Sequence, residues 1–295
     1  MRENGPVTSA TRQPETSAFA TPPRLIATDL DGTLLRDDKS VSPRTVAALA
    51  AAEEAGIEVF FVTGRPARWM DVVSDHVHGH GLAICGNGAA VVDLHGGPGA
   101  HRFVKVRELA RENALDAVRL LRDAAPGTVY AVEQTYGFHQ EPAYPKLHLE
   151  TPDHLLAAEE ILAADGPSAG EPVIKILAYH PDLDPDAFLA LARLAVGERA
   201  NVTRSSPSAL LEISGPGVSK ASTLALECAE RGISHEEVVA FGDMPNDVEM
   251  LTWAGQSYAM GNAHPDVIAA ASGRTVANNE DGVAVVIEQL LAARI

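Results

Sequence analysis

Two aspartates one residue apart follow directly after a short apolar run near the start of the chain. They are Asp29 and Asp31, in the stretch Thr-Asp-Leu-Asp-Gly-Thr-Leu-Leu that begins at Thr28. Two like charges about 4 Å apart repel by about 4 kcal/mol at an effective dielectric constant of about 20. The chain must therefore supply cations or protons here if both aspartates ionise. An Asp-x-Asp alone is more often a solvated loop than a site, so the hypothesis of a site that performs chemistry depends on the clusters that accompany it.

Two more polar clusters follow predicted strands in the same way. Residues 63–65 (Thr-Gly-Arg) come after a strand predicted over 58–62, and residues 242–247 (Gly-Asp-Met-Pro-Asn-Asp) come after one predicted over 238–241. Ligands of open parallel sheets bind outside the carboxyl ends of the strands. We therefore expect clusters that lie about 200 residues apart in sequence to converge on one site.

The residue types in these clusters suit phosphoryl transfer. Oxygen ligands such as carboxylates are preferred by Mg²⁺. Lys220 lies at the start of a predicted helix, where the ammonium and the helix N-terminus together favour an anion such as phosphate. One aspartate, Asp29, can attack phosphorus to form an aspartyl-phosphate, while Asp31 can transfer the protons.

The elements that must position these residues alternate between strand and helix in two separate segments. Residues 23–88 and 206–295 both show this alternation, which predicts an α/β fold with a Rossmann-like, doubly wound parallel sheet. Between them, residues 89–205 show local strand pairing and are predicted to form an inserted α+β domain. Residues 1–22, rich in Thr, Ser, Pro and Arg, are predicted to be a disordered tail.

Composition excludes some classes of function. The formal net charge of −17 argues against broad nucleic-acid binding, which depends on Lys and Arg contacts to phosphates. We find no apolar run near the ~20 residues needed to span a bilayer, so we expect a cytoplasmic protein. His76, His78 and His80 alternate in one stretch, which either binds a metal or forms an exposed loop.

In this order and context, four motifs resemble those of the haloacid dehalogenase-like hydrolase superfamily. They are Asp-Leu-Asp-Gly-Thr-Leu-Leu, Val-Thr-Gly-Arg, Gly-Val-Ser-Lys and Gly-Asp-Met-Pro-Asn-Asp. Ile-Cys-Gly-Asn-Gly-Ala at 84–89 and Asn-Asn-Glu-Asp-Gly-Val-Ala at 278–284 are similar to the Cof-type phosphatases with a class IIB cap. The resemblance covers about residues 24–295, and it implies that the inserted α+β domain, residues 89–205, is a cap domain.

The resemblance implies a role for each matching residue. Asp29 would be the nucleophile and a Mg²⁺ ligand, Asp31 the general acid and base and, through its backbone carbonyl, a second ligand, and Asp243 the third ligand. The residues expected to contact phosphate are Leu30 through its N–H, Thr63, Gly64, Lys220 and Asn246. Asp247 would support the metal and the lysine, and Thr63 and Lys220 complete the catalytic set.

The function implied is a Mg²⁺-dependent phosphatase that hydrolyses small phosphorylated metabolites through an aspartyl-phosphate on Asp29. Two alternatives stay open from sequence. A phosphomutase would return the phosphoryl group to a second sugar hydroxyl, and a sensor on the same fold would bind a phosphorylated metabolite without turnover. The physiological substrate, the cap residues that select it and the oligomeric state are not predicted.

Overall fold

The computed structural model describes residues 22–74, 81–146 and 151–293. Apart from residue 22, the predicted tail (residues 1–22) lies outside these ranges, as do His76, His78 and His80. The strands are β1 (Leu25–Thr28), β2 (Glu58–Val62), β3 (Leu82–Cys85), β4 (Ala90–Asp93), β5 (Arg102–Val106), β6 (Val129–Gln134), β7 (Phe138–Gln140), β8 (His154–Leu155), β9 (Val173–Tyr179), β10 (Asn201–Thr203), β11 (Leu210–Ser214), β12 (Val238–Gly242), β13 (Gln256–Ala259) and β14 (Gly273–Arg274). The helices are α1 (Pro43–Glu54), α2 (Asp71–Ser74), α3 (Arg111–Ala124), α4 (Ala158–Ile161), α5 (Pro185–Val196), α6 (Lys220–Glu230), α7 (Val248–Trp253), α8 (Pro265–Ala270) and α9 (Gly282–Ala292).

The first sheet has the strand order β14-β13-β12-β1-β2-β3-β4-β5. Its strands run parallel from β14 to β3, whereas β4 and β5 each pair antiparallel with the strand before them. All four residues of β1 are buried, because apolar clusters cover both faces of the sheet. The predicted doubly wound parallel core is therefore confirmed.

The second sheet has the order β10-β11-β9-β6-β7-β8 and is largely antiparallel. Alternate residues of its central strands, among them Tyr130 and Ile176, form one apolar cluster with Phe188 of α5. Polar residues of the same strands, such as Lys175 and Glu212, lie on the other face. We call α3 to β11 the inserted unit, and it corresponds to the predicted α+β insertion.

Strand pairing places the ends of this unit differently from the predicted boundaries at 89 and 205. Strands β4 and β5 extend the first sheet, and β11 belongs to the second sheet. The chain therefore passes from the first sheet to the inserted unit between Val106 and Arg111, and it returns between Ser214 and Lys220. An antiparallel strand has the same sequence pattern in either sheet, so alternation alone did not assign β4, β5 and β11.

Helix ends follow the local sequence signals closely in the first sheet's segments. Ser42 caps α1 through a bond from Thr45 N to its hydroxyl, Pro43 occupies the first turn, and Gly56 follows with φ 77°. In the inserted unit, α4 is a single short turn of 4 residues. Across the described ranges, no helix has both the length and the apolar character needed to cross a membrane.

Candidate active site

The first aspartate directly follows β1, which lies beside the parallel strand β12. Asp29 N donates to Phe241 O at 3.1 Å, which holds Asp29 at the carboxyl end of the sheet. The turn continues through Gly32, whose φ is 76°; a Cβ there would overlap Asp243 Oδ2. Thr33 Oγ1 then donates to Asp243 Oδ1 at 2.9 Å. A glycine is therefore required at position 32 for the two aspartate loops to approach each other.

Three carboxylates meet at this point. Asp29, Asp243 and Asp247 are all buried, and each offers an oxygen within 4.8 Å of the other two. Lys220 Nζ donates to Asp29 Oδ1 at 2.7 Å and to Asp247 Oδ1 at 2.6 Å, and its residue is 1% exposed. Ser219 caps α6, so Lys220 occupies the first turn of that helix, as the sequence predicts.

The electrostatics of this cluster favour a cation. Burial, together with the charges of Asp247 and Asp243, raises the pKa of Asp29 well above its ordinary value, although Lys220 opposes this. Burial and the charge of Asp247 likewise raise the pKa of Asp243 to about 7. The pKa of Lys220 is raised because Asp247 and Asp29 outweigh the effect of burial. One ammonium for three buried carboxylates leaves excess negative charge, and the oxygen-only donor set fits Mg²⁺.

The carboxylate of Asp31 lies outside this cluster of three carboxylates. Arg65 binds it with two bonds, from Nε to Oδ2 at 2.6 Å and from Nη2 to Oδ1 at 2.7 Å. Lys39 Nζ adds a third bond to Oδ1 at 2.9 Å. Burial raises the pKa of Asp31, but the bonds and charges of Arg65 and Lys39 outweigh it and lower the pKa to about 2. Two cations thus compensate this carboxylate.

Three of the residues expected to contact phosphate are buried. Thr63 is buried at the end of β2, and its Oγ1 accepts from Arg65 N at 3.1 Å. Leu30 is fully buried directly after Asp29, and its carbonyl accepts from Leu35 N. Asn246 is 9% exposed, and its Oδ1 is buried without a hydrogen-bond partner in the part of the chain that the structure describes.

Sequence reasoning assigned no role to Asn87 or to two residues of the inserted unit that reach this site. Lys175 Nζ donates to the carbonyl of Gly64 at 2.6 Å and pairs with Glu212. Asn87 Nδ2 donates to Glu212 Oε2 at 2.8 Å, and Asn87 Oδ1 accepts from Asn246 Nδ2 at 3.0 Å. The signal that the sequence offered was the position of Asn87 between two glycines. A hydrogen bond between residues 125 positions apart leaves no local pattern in the sequence.

Comparison with known proteins decides the family. A sequence profile described as haloacid dehalogenase-like hydrolase matches residues 26–287. The chain belongs to the haloacid dehalogenase-like hydrolases. This confirms the resemblance found in the sequence, and it confirms the prediction of an enzyme.

Named relatives of this haloacid dehalogenase-like hydrolase include two phosphatases. The 5-amino-6-(5-phospho-D-ribitylamino)uracil phosphatase YitU of Bacillus subtilis is 31% identical over 271 residues, 90% of this chain and 96% of the relative. The pyridoxal phosphate phosphatase YbhA of Escherichia coli K12 is 30% identical over 269 residues, 88% of this chain and 96% of the relative.

Solved structures share the fold of this haloacid dehalogenase-like hydrolase. A haloacid dehalogenase-like hydrolase from B. subtilis has a TM-score of 0.77 and 26% identity, covering 90% of this chain and 99% of its own. The subclass IIB sugar phosphatase BT4131 has a TM-score of 0.73 over 92% of this chain and 99% of its own, at 21% identity. The predicted class, a parallel core with an inserted cap, is therefore confirmed.

Proposed function

We propose that this enzyme is a Mg²⁺-dependent phosphatase that hydrolyses phosphate monoesters of small metabolites through an aspartyl-phosphate on Asp29. The observation that carries the proposal is the contact of Asp29 Oδ1 with the buried ammonium of Lys220, inside a cluster of three carboxylates. The names of the relatives, which specify phosphorylated small molecules, support the substrate class.

The metal would be held by Asp29 and Asp243, with Asp247 in support and the backbone carbonyl of Asp31 as a further ligand. When bound, Mg²⁺ would supply Lewis-acid stabilisation of the negative charge on the transferring phosphoryl group. Lys220 balances charge beside the nucleophile. Its bond to Asp247 holds the ammonium in place, and its bond to Asp29 orients the Asp29 carboxylate.

In the first half-reaction, a carboxylate oxygen of Asp29 attacks phosphorus and the bond from phosphorus to the substrate oxygen breaks. Asp31 gives its proton to that leaving oxygen. In the structure Asp31 is ionised, because Arg65 and Lys39 hold its pKa at about 2. A phosphate dianion placed beside Asp31 opposes these cations and raises its pKa, so substrate binding favours the protonated acid.

In the second half-reaction, water attacks the phosphorus of the aspartyl-phosphate and Asp31 accepts a proton from that water. The bond from phosphorus to Asp29 breaks, and inorganic phosphate leaves with the Asp29 carboxylate restored. Thr63, Gly64, Asn246 and the N–H of Leu30 would hold the phosphate oxygens through both steps. The inserted unit would exclude bulk water, since Lys175 already contacts Gly64.

The test is release of inorganic phosphate from a panel of phosphorylated metabolites and from p-nitrophenyl phosphate, with Mg²⁺ or with excess EDTA. We expect Mg²⁺-dependent release that Asp29→Asn abolishes while the circular dichroism spectrum is retained. Asp116→Asn, at an exposed carboxylate of α3, should keep activity. Isomerised sugar phosphate without phosphate release would instead indicate a phosphomutase, and tight binding without turnover would indicate a sensor.

A further inference from the structure

We infer that Asn87 is a positioning residue that couples docking of the inserted unit to the phosphate contacts of the core. The inference rests on the proposed function for the identity of the ligand, a phosphate group, and deepens it. It concerns a chain of hydrogen bonds that we call the Asn87 bridge, which consists of Asn246, Asn87, Glu212, Lys175 and Gly64.

The backbone around Asn87 is fixed on three sides. Asn87 has φ 56° and ψ 35°, a left-handed conformation that asparagine adopts more readily than most residues. Asn87 N donates to Thr63 O at 3.0 Å. A Cβ at Gly86 would lie 2.7 Å from Ile174 of the inserted unit, and one at Gly88 would overlap the carbonyl of Ser219. The loop is thus packed between β9, the Thr63 turn and the start of the helix that carries Lys220.

The side chain of Asn87 uses both ends of its amide. Its oxygen accepts from Asn246 Nδ2 at 3.0 Å in the core, and its nitrogen donates to Glu212 Oε2 at 2.8 Å in the inserted unit. Asn87 is 2% exposed, so water does not replace these bonds readily. A side chain that both donates and accepts is needed here, which a carboxylate or an aliphatic residue cannot provide.

The other end of the Asn87 bridge is a contact between the inserted unit and Gly64 of the core. Glu212 pairs with Lys175, both side chains being almost fully buried, and Lys175 Nζ donates to Gly64 O at 2.6 Å. The inserted unit therefore contacts Gly64 directly and Asn246 through Asn87. Both are expected phosphate contacts, and the position of each depends on Glu212 and Lys175 being docked. We conclude that separation of the two units would release both phosphate contacts together.

The key variant is Asn87→Asp, which keeps the shape and the bond from Asn246 but places a carboxylate against Glu212. A hydrogen bond to a charged group is lost, so we expect KM for p-nitrophenyl phosphate to rise about tenfold or more. Because Asn87 does not touch the reacting atoms, kcat should change much less. The affinity for inorganic phosphate, measured by calorimetry in Mg²⁺ buffer, should fall by a similar factor.

Restoring the charge of the pair provides the rescue. Lys175 Nζ and Asn87 Nδ2 donate to the same oxygen of Glu212. In Asn87→Asp with Glu212→Gln the net charge of the pair is that of the natural protein, and Lys175 can donate to the new aspartate in place of the lost carboxylate. Both KM and phosphate affinity should return most of the way to the natural values. If Asn87→Asp does not fold, as judged by circular dichroism, Asn87→Ala is used instead; it removes both bonds of the Asn87 amide without adding charge.

The matched control is Asn278→Asp. Asn278 is 4% exposed and donates to Leu35 O and Asp37 Oδ1, both in the first sheet's segments. The bridge is refuted if this control raises KM as much as Asn87→Asp, or if the double variant shows no recovery. If the natural protein binds phosphate without hydrolysing phosphate esters, the proposed function is rejected and the calorimetric affinities decide on the Asn87 bridge. If it binds no phosphate, both proposals are rejected.

Discussion

Replacing Asp243 by Asn should stabilise the protein when no metal is bound, although the residue is a proposed metal ligand. The substitution preserves the shape of the side chain and the oxygen that accepts from Thr33 Oγ1. It removes one of three carboxylates that crowd around the single ammonium of Lys220. Most substitutions of buried residues destabilise a protein, so the expected sign is opposite to the usual one.

The magnitude follows from the pKa of Asp243, which is raised from 3.8 to about 7. The folded protein binds this proton more tightly than the unfolded chain does. Binding of the proton therefore contributes its full stabilisation of the fold below about pH 4, and this contribution is lost as the pH rises through 7. At pH 8 the ionised carboxylate costs about 4 kcal/mol, since each pKa unit is worth about 1.4 kcal/mol. At pH 5 the cost is below about 2 kcal/mol.

Urea unfolding followed by circular dichroism, with EDTA or with Mg²⁺, measures this effect. In EDTA at pH 8 we expect Asp243→Asn to unfold at higher urea than the natural protein, with a smaller difference at pH 5. Mg²⁺ at 100 times its Kd should stabilise the natural protein by about 2.7 kcal/mol and the variant much less. The contrasting variant is Asp247→Asn, which should destabilise because Asp247 holds Lys220 and accepts from Asp243 N and Met244 N.

The reasoning would be refuted if Asp243→Asn were less stable than the natural protein in EDTA at pH 8. It would also be refuted if the difference between the two proteins did not depend on pH, because the cost would then not come from ionisation. Equal stabilisation of both proteins by Mg²⁺ would show that Asp243 is not a ligand of the metal.

Three further predictions concern the loops around the cluster. Asp31→Asn should release a burst of p-nitrophenolate about equal in amount to the enzyme and then turn over slowly. The p-nitrophenolate leaving group needs no proton, whereas hydrolysis of the aspartyl-phosphate needs a base. Steady release without a burst would contradict the role of Asp31 as that base. Arg65→Ala should raise the pKa of Asp31, which loses the bonds from Arg65. With a metabolite substrate whose leaving oxygen needs a proton, the alkaline limb of the pH profile of kcat/KM should then move to higher pH, because Asp31 acts as the acid in that half-reaction; an unmoved limb would show that the ion pair does not set it. Gly32→Ala should reduce Mg²⁺-dependent phosphate release far more than Gly56→Ala. Both glycines have φ near 76°, but a Cβ overlaps Asp243 only at Gly32, and nothing lies within 4 Å at Gly56; equal losses would contradict the packing argument.

Sequence reasoning predicted the parts of the site that depend on strand ends. The clusters that follow β1, β2 and β12 converge because these strands are adjacent and parallel in the first sheet, and such strands end at one edge. Lys220 joins them because Ser219 caps α6 at that edge. Each of these residues could be placed from a local pattern combined with one rule about parallel sheets.

Docking of the inserted unit could not be predicted in this way. The bond from Asn87 to Glu212 and that from Lys175 to Gly64 join loops that follow strands of the first sheet to strands of the second, between residues more than 100 positions apart. Such bonds depend on how the second sheet lies over the first, and alternation along a strand carries no information about that. The same limit explains why strand pairing differs from the predicted boundaries at 89 and 205, where β4 and β5 extend the first sheet and β11 the second.

Asp29 and Asp31 show how the fold separates two residues that the sequence makes equivalent. Each is an aspartate at the carboxyl end of the same strand, yet burial among carboxylates raises the pKa of Asp29, whereas Arg65 and Lys39 lower that of Asp31 to about 2. Opposite pKa shifts in neighbouring carboxylates are typical of sites in which the two have different roles. In the proposed reaction the carboxylate near the metal forms the covalent bond, and the carboxylate paired with Arg65 transfers the protons. The cations around Asp31, rather than its place in the motif, therefore determine when it can act as the acid.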